Sequence, residues 1–477
     1  MTDGPPEPDR QAADGTLISW ASEREGRTIL HIALPLAAAY VAEMGMVITD
    51  MIIVGRLGSK ELAAVGLAGD LFWIFLLIGM GVISVVGVIA AQNLGAGRRS
   101  GVIAAGEQGM WVATFTSLPI MAGVWFMAPL LALARQDAEV VSLIEGYSRV
   151  LAGAVLPALW FLALRNYVTA LARSAAIGWI TFGAVGLNLL LNWALVYGRL
   201  GLPALGVVGA GIGTTAVNWI MFAVLAAYVR RARALSGHRP RVFPRRPDGA
   251  LLREMFSLGL PVALTQILNG GMYSTAAVLI GVLGAASLAA QQIVYSVVYL
   301  ALSAAAALGD AVRVRVAFAL GQEDARAAGR SARIAFQLAL VATLLGSLLL
   351  WLAPELLARA FLDTTKPDNA EVLGIAVSLS GLAGLFLLLN GTQSVCADAL
   401  RGLRDTRSPL WVSLLGYWLV GLGAGALLCF ALDLGAQGIW WGLVTGMLLC
   451  NFLLITLFRR RLRETARRLA GQALPPG

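Results

Sequence analysis

Charge is what this chain has least of. Asp, Glu, Lys and Arg together make up 13% of 477 residues against 58% hydrophobic, and mean hydropathy is +0.77. A soluble fold needs much of its surface to suit water, so a chain this apolar reads as a membrane protein. Histidine is nearly missing: His31 lies at the edge of an apolar stretch and His238 in a basic one, too far apart in sequence to read as a ligand pair. Cys396, Cys429 and Cys450 all fall in apolar segments, which argues against a disulfide framework and a metal cluster alike. There is no glycine-rich phosphate loop, no Cys/His metal spacing and no serine with a plausible histidine beside it. Enzyme chemistry has nothing to stand on.

What is present is length without charge. Twelve apolar stretches fall near 29–54, 62–92, 104–133, 141–171, 178–198, 207–229, 254–283, 288–320, 332–358, 372–400, 409–431 and 437–458. Each is long enough to cross a hydrocarbon core about 30 Å thick as a helix. Residues 1–28 mix Asp and Glu with Arg and contain Pro5, Pro6 and Pro8, which suits a disordered tail and not a cleavable signal peptide. The net charge of +9 is explained by its distribution. With both termini placed in the cytoplasm, inward segments hold 26 Lys and Arg and outward loops hold 6. That is the positive-inside pattern, with anionic lipid as a further partner for the basic runs and no nucleic acid.

The chain repeats itself. IIVGRLGSKELAA at 52–64 returns as VLIGVLGAASLAA at 278–290, keeping Gly55, Leu57, Gly58 and Leu62 as Gly281, Leu283, Gly284 and Leu288. At the same offset Pro35 answers Pro261, and Leu94-Gly95 answers Leu320-Gly321. LGVVGAGIG at 205–213 answers LGAQGIWWG at 434–442. The expected fold is an all-α polytopic membrane protein of twelve helices, built as two parallel six-helix repeats. Its divisions are a cytoplasmic tail (1–28), a first bundle (29–230), a basic cytoplasmic linker (231–253), a second bundle (254–460) and a C-terminal cytoplasmic tail (461–477). Six spans per half, an even number, insert both halves the same way up. In transporters of that kind the substrate path runs between the repeats.

Six stretches in register resemble the multidrug and toxic compound extrusion (MATE) family: TDMIIVGRLGSKELAAVGLA (49–68), AAQNLGAGR (90–98), LNLLLNWALVYG (187–198), LAAQQIV (288–294), RVRVAFALGQED (313–324) and ALRGLRDTRSP (399–409). The resemblance covers nearly the whole chain. It implies a V-shaped antiporter that exports organic, often cationic or amphipathic, compounds such as drugs and toxic metabolites in exchange for H+ or Na+. No cofactor and no bound metal beyond that coupling ion are expected, and the chain is expected to act as a monomer. The abundance of Arg over Lys and the short tails suggest a bacterial inner membrane.

Ionisable groups in a membrane are costly, so each one is a candidate. Glu43 and Asp50 stand seven residues apart in span one, on one face and about 10 Å from each other. In the resemblance, Asp50 matches the acid of the first half's cation or proton site, and Asn188, Asn192 and Thr214 match its polar partners. Some relatives have Asp where Asn192 stands, which favours H+ over Na+ here. One branch of the family carries acids in spans seven and ten, where this chain has Asn269 and Asn390. Asp310 with Arg313 three residues on reads as a self-neutralised ion pair or a gating element, and Asp70 as a further substrate or gating candidate. Arg165 and Arg149 in span four are available to balance these acids. Two rivals stand beside the antiporter: a lipid-linked oligosaccharide flippase, which needs a strongly basic central cavity, and a polytopic enzyme or receptor, which needs a catalytic cluster or an outer domain.

Overall fold

The structure, a computed structural model, describes residues 25–242, 246–362 and 369–472. Among these residues all regular structure is helical. That follows from lipid as the surroundings, because a helix satisfies its own backbone where water cannot. The spans are α1 (Glu25–Gly55), α2 (Ser59–Gly95), α3 (Arg99–Trp125, continued after a 47° bend by Met127–Leu133), α4 (Ala138–Ala170), α5 (Ala175–Tyr197) and α6 (Gly206–Arg231). The second set is α7 (Gly249–Gly281), α8 (Ala285–Gly321), α9 (Ala325–Leu352), α10 (Asn369–Gly402), α11 (Arg407–Phe430) and α12 (Gly435–Gln472). Eleven of these helices are singly long and apolar enough to cross a membrane, and the bent α3 makes a twelfth.

Three boundaries differ from the sequence reading. α1 begins at Glu25, whose carboxylate receives Arg315 Nε at 2.7 Å and Ser331 Oγ at 2.7 Å. Residues 25–28 are therefore helical and fastened to α8 and α9, while residues 1–24 lie outside the described residues. α7 begins at Gly249, where the Asp248 side chain caps Ala250 N at 3.0 Å. α12 runs on to Gln472, so the expected C-terminal tail is largely a helix. The basic linker is not free either. Tyr167 donates to the His238 carbonyl at 2.6 Å, and Arg241 N donates to Glu107 at 3.1 Å, so its described part packs on the first half.

The repeated turn closes in both halves with matching backbone bonds. Leu57 N to Val54 O (2.9 Å) and Leu62 N to Gly58 O (3.1 Å) correspond to Leu283 N to Ile280 O (3.0 Å) and Leu288 N to Gly284 O (3.2 Å). Gly284 sits at φ 121°, a conformation side chains rarely take. The halves also touch reciprocally. A Cβ on Gly95 would strike the carbonyl of Phe318, and one on Gly321 would strike the carbonyl of Gln92, the repeat partner of Phe318. Residue i meeting j while the partner of j meets the partner of i is what a two-fold relation requires. Gly321→Val should cost about 1–3 kcal/mol of stability by overpacking this contact. Gly374→Val, where a Cβ meets open space, is the silent control. Equal thermal unfolding of the two variants would remove the contact from the account.

Contacts between the halves run from mid-span towards one end. α2 and α7 run antiparallel, with Gly81 against Ala263 and Leu77 against Gly270. One or two turns further from the termini, Asp70 and Ile74 on α2 and Ser274 and Val278 on α7 are exposed. The halves meet near the end that carries both termini and part towards the other, which makes a V.

Candidate functional site

Asp50 lies in the half of the first bundle away from the start of α1, five residues before that helix ends. Its carboxylate accepts from Asn192 Nδ2, and Asn188 and Thr214 stand beside it. Both asparagines come from one face of α5, four residues apart, and are buried at 2% and 0% exposure. α6 brings Thr214 and, one residue earlier, Gly213, where a Cβ would strike Asn192 Oδ1. Gly213 is thus needed for Asn192 to reach Asp50, and the sequence reading passed over it. Tyr197 of α5 donates to the Ile53 carbonyl at 2.6 Å and pins α1 to α5 beside the site.

Three buried oxygens there, Asn188 Oδ1, Asn192 Oδ1 and Thr214 Oγ1, receive no hydrogen bond among the described residues. One carboxylate with neutral amide and hydroxyl oxygens suits a proton on Asp50, or a hard monovalent cation held by the oxygens. Among the described residues no group of three or more His, Cys, Asp or Glu could hold a metal ion. The donor set therefore fits a lightly charged ion and not a polyvalent one.

Glu43 is not part of this site, against the sequence expectation. It pairs with Arg165 Nη1 at 2.8 Å, because a carboxylate buried within reach of a fixed guanidinium pairs with it. Arg165 also donates to Tyr40 Oη at 3.1 Å and lies 5.0 Å over the Tyr40 ring. Tyr40 in turn donates to Asp310, which also accepts from Arg313. The Asp310–Arg313 pair is present, then, but as one link of a longer chain. Arg313 reaches Asp398 at 3.1 Å and Arg401 reaches the same oxygen at 3.0 Å, while Asn166 accepts from Arg313 at 3.5 Å. Three carboxylates meet three guanidiniums, with α1 and α4 of the first half joined to α8 and α10 of the second. Arg149 takes no part; it pairs with Glu145 on the surface of α4. Tyr40, Asn166, Asp398 and Arg401 were not singled out in the sequence. Asp398, an acid inside the apolar stretch 372–400, carried the signal that would have found it.

The second half holds a polar aromatic group where the first holds Asp50. Asn390 Nδ2 donates to Tyr273 Oη at 2.5 Å, and Tyr273 packs 4.9 Å from Tyr295, which lies 6.2 Å from Tyr299. Asn269, one turn before Tyr273, has a buried Oδ1 with no partner among the described residues. Asp70 is exposed and makes no hydrogen bond or ion pair among them. It projects on the face of α2 that meets α7 two turns on, so it borders the open part of the V.

The MatE family profile matches residues 35–194 and 261–427, one block in each half. A probable multidrug resistance protein NorM from Agrobacterium fabrum (strain C58) is 35% identical over 456 residues, covering 94% of this chain and 97% of its own length. The multidrug resistance protein NorM of Burkholderia vietnamiensis is 34% identical over 419 residues, covering 87% and 90%. An outward-facing multidrug resistance MATE family transporter of the MOP superfamily superposes with a TM-score of 0.83 at 18% identity, over 96% of this chain and 99% of that one. The eukaryotic MATE transporter AtDTX14 gives 0.80 at 20%, over 94% and 99%. The solved structures establish the fold, and the family match with the NorM relatives establishes kinship. A twelve-helix V with one carboxylate set among amides in the first bundle fits that kinship: the chain belongs to the MatE family of multidrug and toxic compound extrusion transporters and, like its NorM relatives, is a transporter and not an enzyme.

Proposed function

We propose that this transporter exports small organic compounds, cationic or amphipathic ones, in exchange for H+, by alternating access between its two halves. The observation that carries the reading is the Asp50 site: a single acid, neutral neighbours and unpartnered oxygens on the outer side of a bundle whose inner end is closed against its partner. Protonating Asp50 removes charge from the bundle interior and lets α1 repack, which lowers affinity for the compound and releases it outward. The exposed Asp70, with the tyrosines of α7 and α8, supports a cationic or aromatic substrate in the V. The positive-inside distribution supports both termini in the cytoplasm, with the V opening away from it. Nothing in the mechanism calls for a second copy of the chain.

The three orphaned oxygens favour a second reading, in which Na+ is the coupling ion. Vesicles loaded with a fluorescent organic cation and given separately imposed pH and sodium gradients decide between them. Export should follow the pH gradient alone; export driven by sodium at equal pH moves the assignment to Na+, and export driven by neither ends both readings. A flippase for lipid-linked oligosaccharides would want free cations in the cavity. Here Arg165, Arg313, Arg315 and Arg401 are each paired with a carboxylate.

A further inference from the structure

At the terminus-bearing end an open cavity of about 740 Å³ lies between the start of α7, the α10–α11 turn and the extension of α12. Four arginines line it: Arg404, Arg407, Arg461 and Arg468. Two are spoken for. Arg404 pairs with Glu254, and Arg461 holds Asp405 at 2.8 Å and Glu464 at 3.2 Å. The two acids in the lining are consumed in turn, since Asp405 also receives Ser408 Oγ at 2.7 Å and Glu464 receives Arg460 Nε at 3.0 Å. Arg407 and Arg468 are exposed and make no hydrogen bond or ion pair among the described residues.

One flank of the wall is apolar. Leu258, Val412 and Leu457 line it, and Trp411 stands 65% exposed at its edge, one turn into α11. Tryptophan on a membrane span at the basic end marks the headgroup level. A cavity with surplus positive charge, hydroxyls from Ser408 and Thr465, and a greasy flank opening beside a tryptophan has two ends of different chemistry. Guanidiniums grip phosphate by paired N–H bonds, and the flank suits an acyl chain.

We propose that this cavity binds the headgroup of an anionic phospholipid, with its phosphodiester on Arg407 and Arg468 and its first acyl carbons along Trp411 and Leu457. A zwitterionic lipid would bring its own cation against two unpaired arginines and bind less well. Each basic side chain near an anionic headgroup contributes enough that losing both should weaken binding about thirtyfold.

Native mass spectrometry of the full chain, released from micelles with either phosphatidylglycerol or phosphatidylcholine of the same acyl length, tests this. Arg407→Ala with Arg468→Ala should lose phosphatidylglycerol about thirtyfold and leave phosphatidylcholine unchanged. Arg459→Ala with Arg463→Ala removes equal charge from the opposite, exposed face of α12 and should change phosphatidylglycerol binding by less than about threefold. Equal loss in both pairs would mean diffuse surface charge and overturn the site, as would no loss in the first pair. Displacement of the lipid by millimolar inorganic phosphate would mean a pocket for free anion, and would overturn the lipid assignment too.

Discussion

Asp50→Asn is expected to reduce pH-driven accumulation of an exported compound to background. The substitution keeps the side chain's shape and an acceptor oxygen for Asn192 Nδ2 but removes its only titratable proton. In proteoliposomes a difference of two pH units can sustain about a hundredfold gradient of a monovalent cation exchanged one for one, since each unit is worth about 1.4 kcal/mol. The variant should bring that ratio to about one. It should bind the compound with the weaker affinity of the protonated native chain at every pH, which fluorescence polarisation in detergent checks, while an unchanged thermal unfolding profile tells lost coupling apart from a folding defect. Undiminished accumulation would retire Asp50 as the coupling residue. Stoichiometry has its own reading in the same vesicles. Each charge crossing 100 mV contributes about 2.3 kcal/mol, so a voltage-independent rate indicates electroneutral exchange.

How much of this was legible in the sequence depended on how local the cause was. Twelve spans were readable because hydropathy sums over about 20 residues and a single substitution hardly moves it. The repeat was readable because the turn around Gly58 and Gly284 is bonded within itself. Asn188 and Asn192 were assigned to Asp50 through the family resemblance, and α5 does deliver both from one face. Glu43 was misplaced because its partner, Arg165, is 122 residues away, and helix periodicity knows nothing of neighbouring helices. The wide-turn stretch Leu414–Leu422 in α11 was invisible for the same reason. It accompanies the close approach of Gly416 and Gly421 to Gly446 of α12, a matter of packing between helices. Asp398 was missed through its position near a span end, where an acid is ordinarily solvated.

Asp398→Asn is expected to open the end that the six-charge chain holds shut. Arg313 and Arg401 both donate to one oxygen of Asp398, and all three are buried at 5–7% exposure. Neutralising the acid leaves three guanidiniums against two carboxylates in a place water does not reach. Removing one partner of such a pair costs about 3–5 kcal/mol, which shifts the closed-to-open ratio by about two to four powers of ten if the open state hydrates the arginines. Spin labels at Arg98→Cys and Arg326→Cys, exposed positions on opposite halves at that end, should then show a second, longer distance. The native cysteines are buried and leave the pair readable. Adding Arg401→Met restores the charge balance and should return the short distance, which a simple loss of packing would not do. α1 connects this end to the other site, for it carries Tyr40 and Glu43 in the ion chain and Asp50 seven residues further on. A helix held at both points has two arrangements that each site can bias, and that is how protonation at one end can release a contact at the other. An unchanged single distance in Asp398→Asn would show the ion chain to be ballast, and would move the burden of closure to the glycine contacts at Gly95 and Gly321.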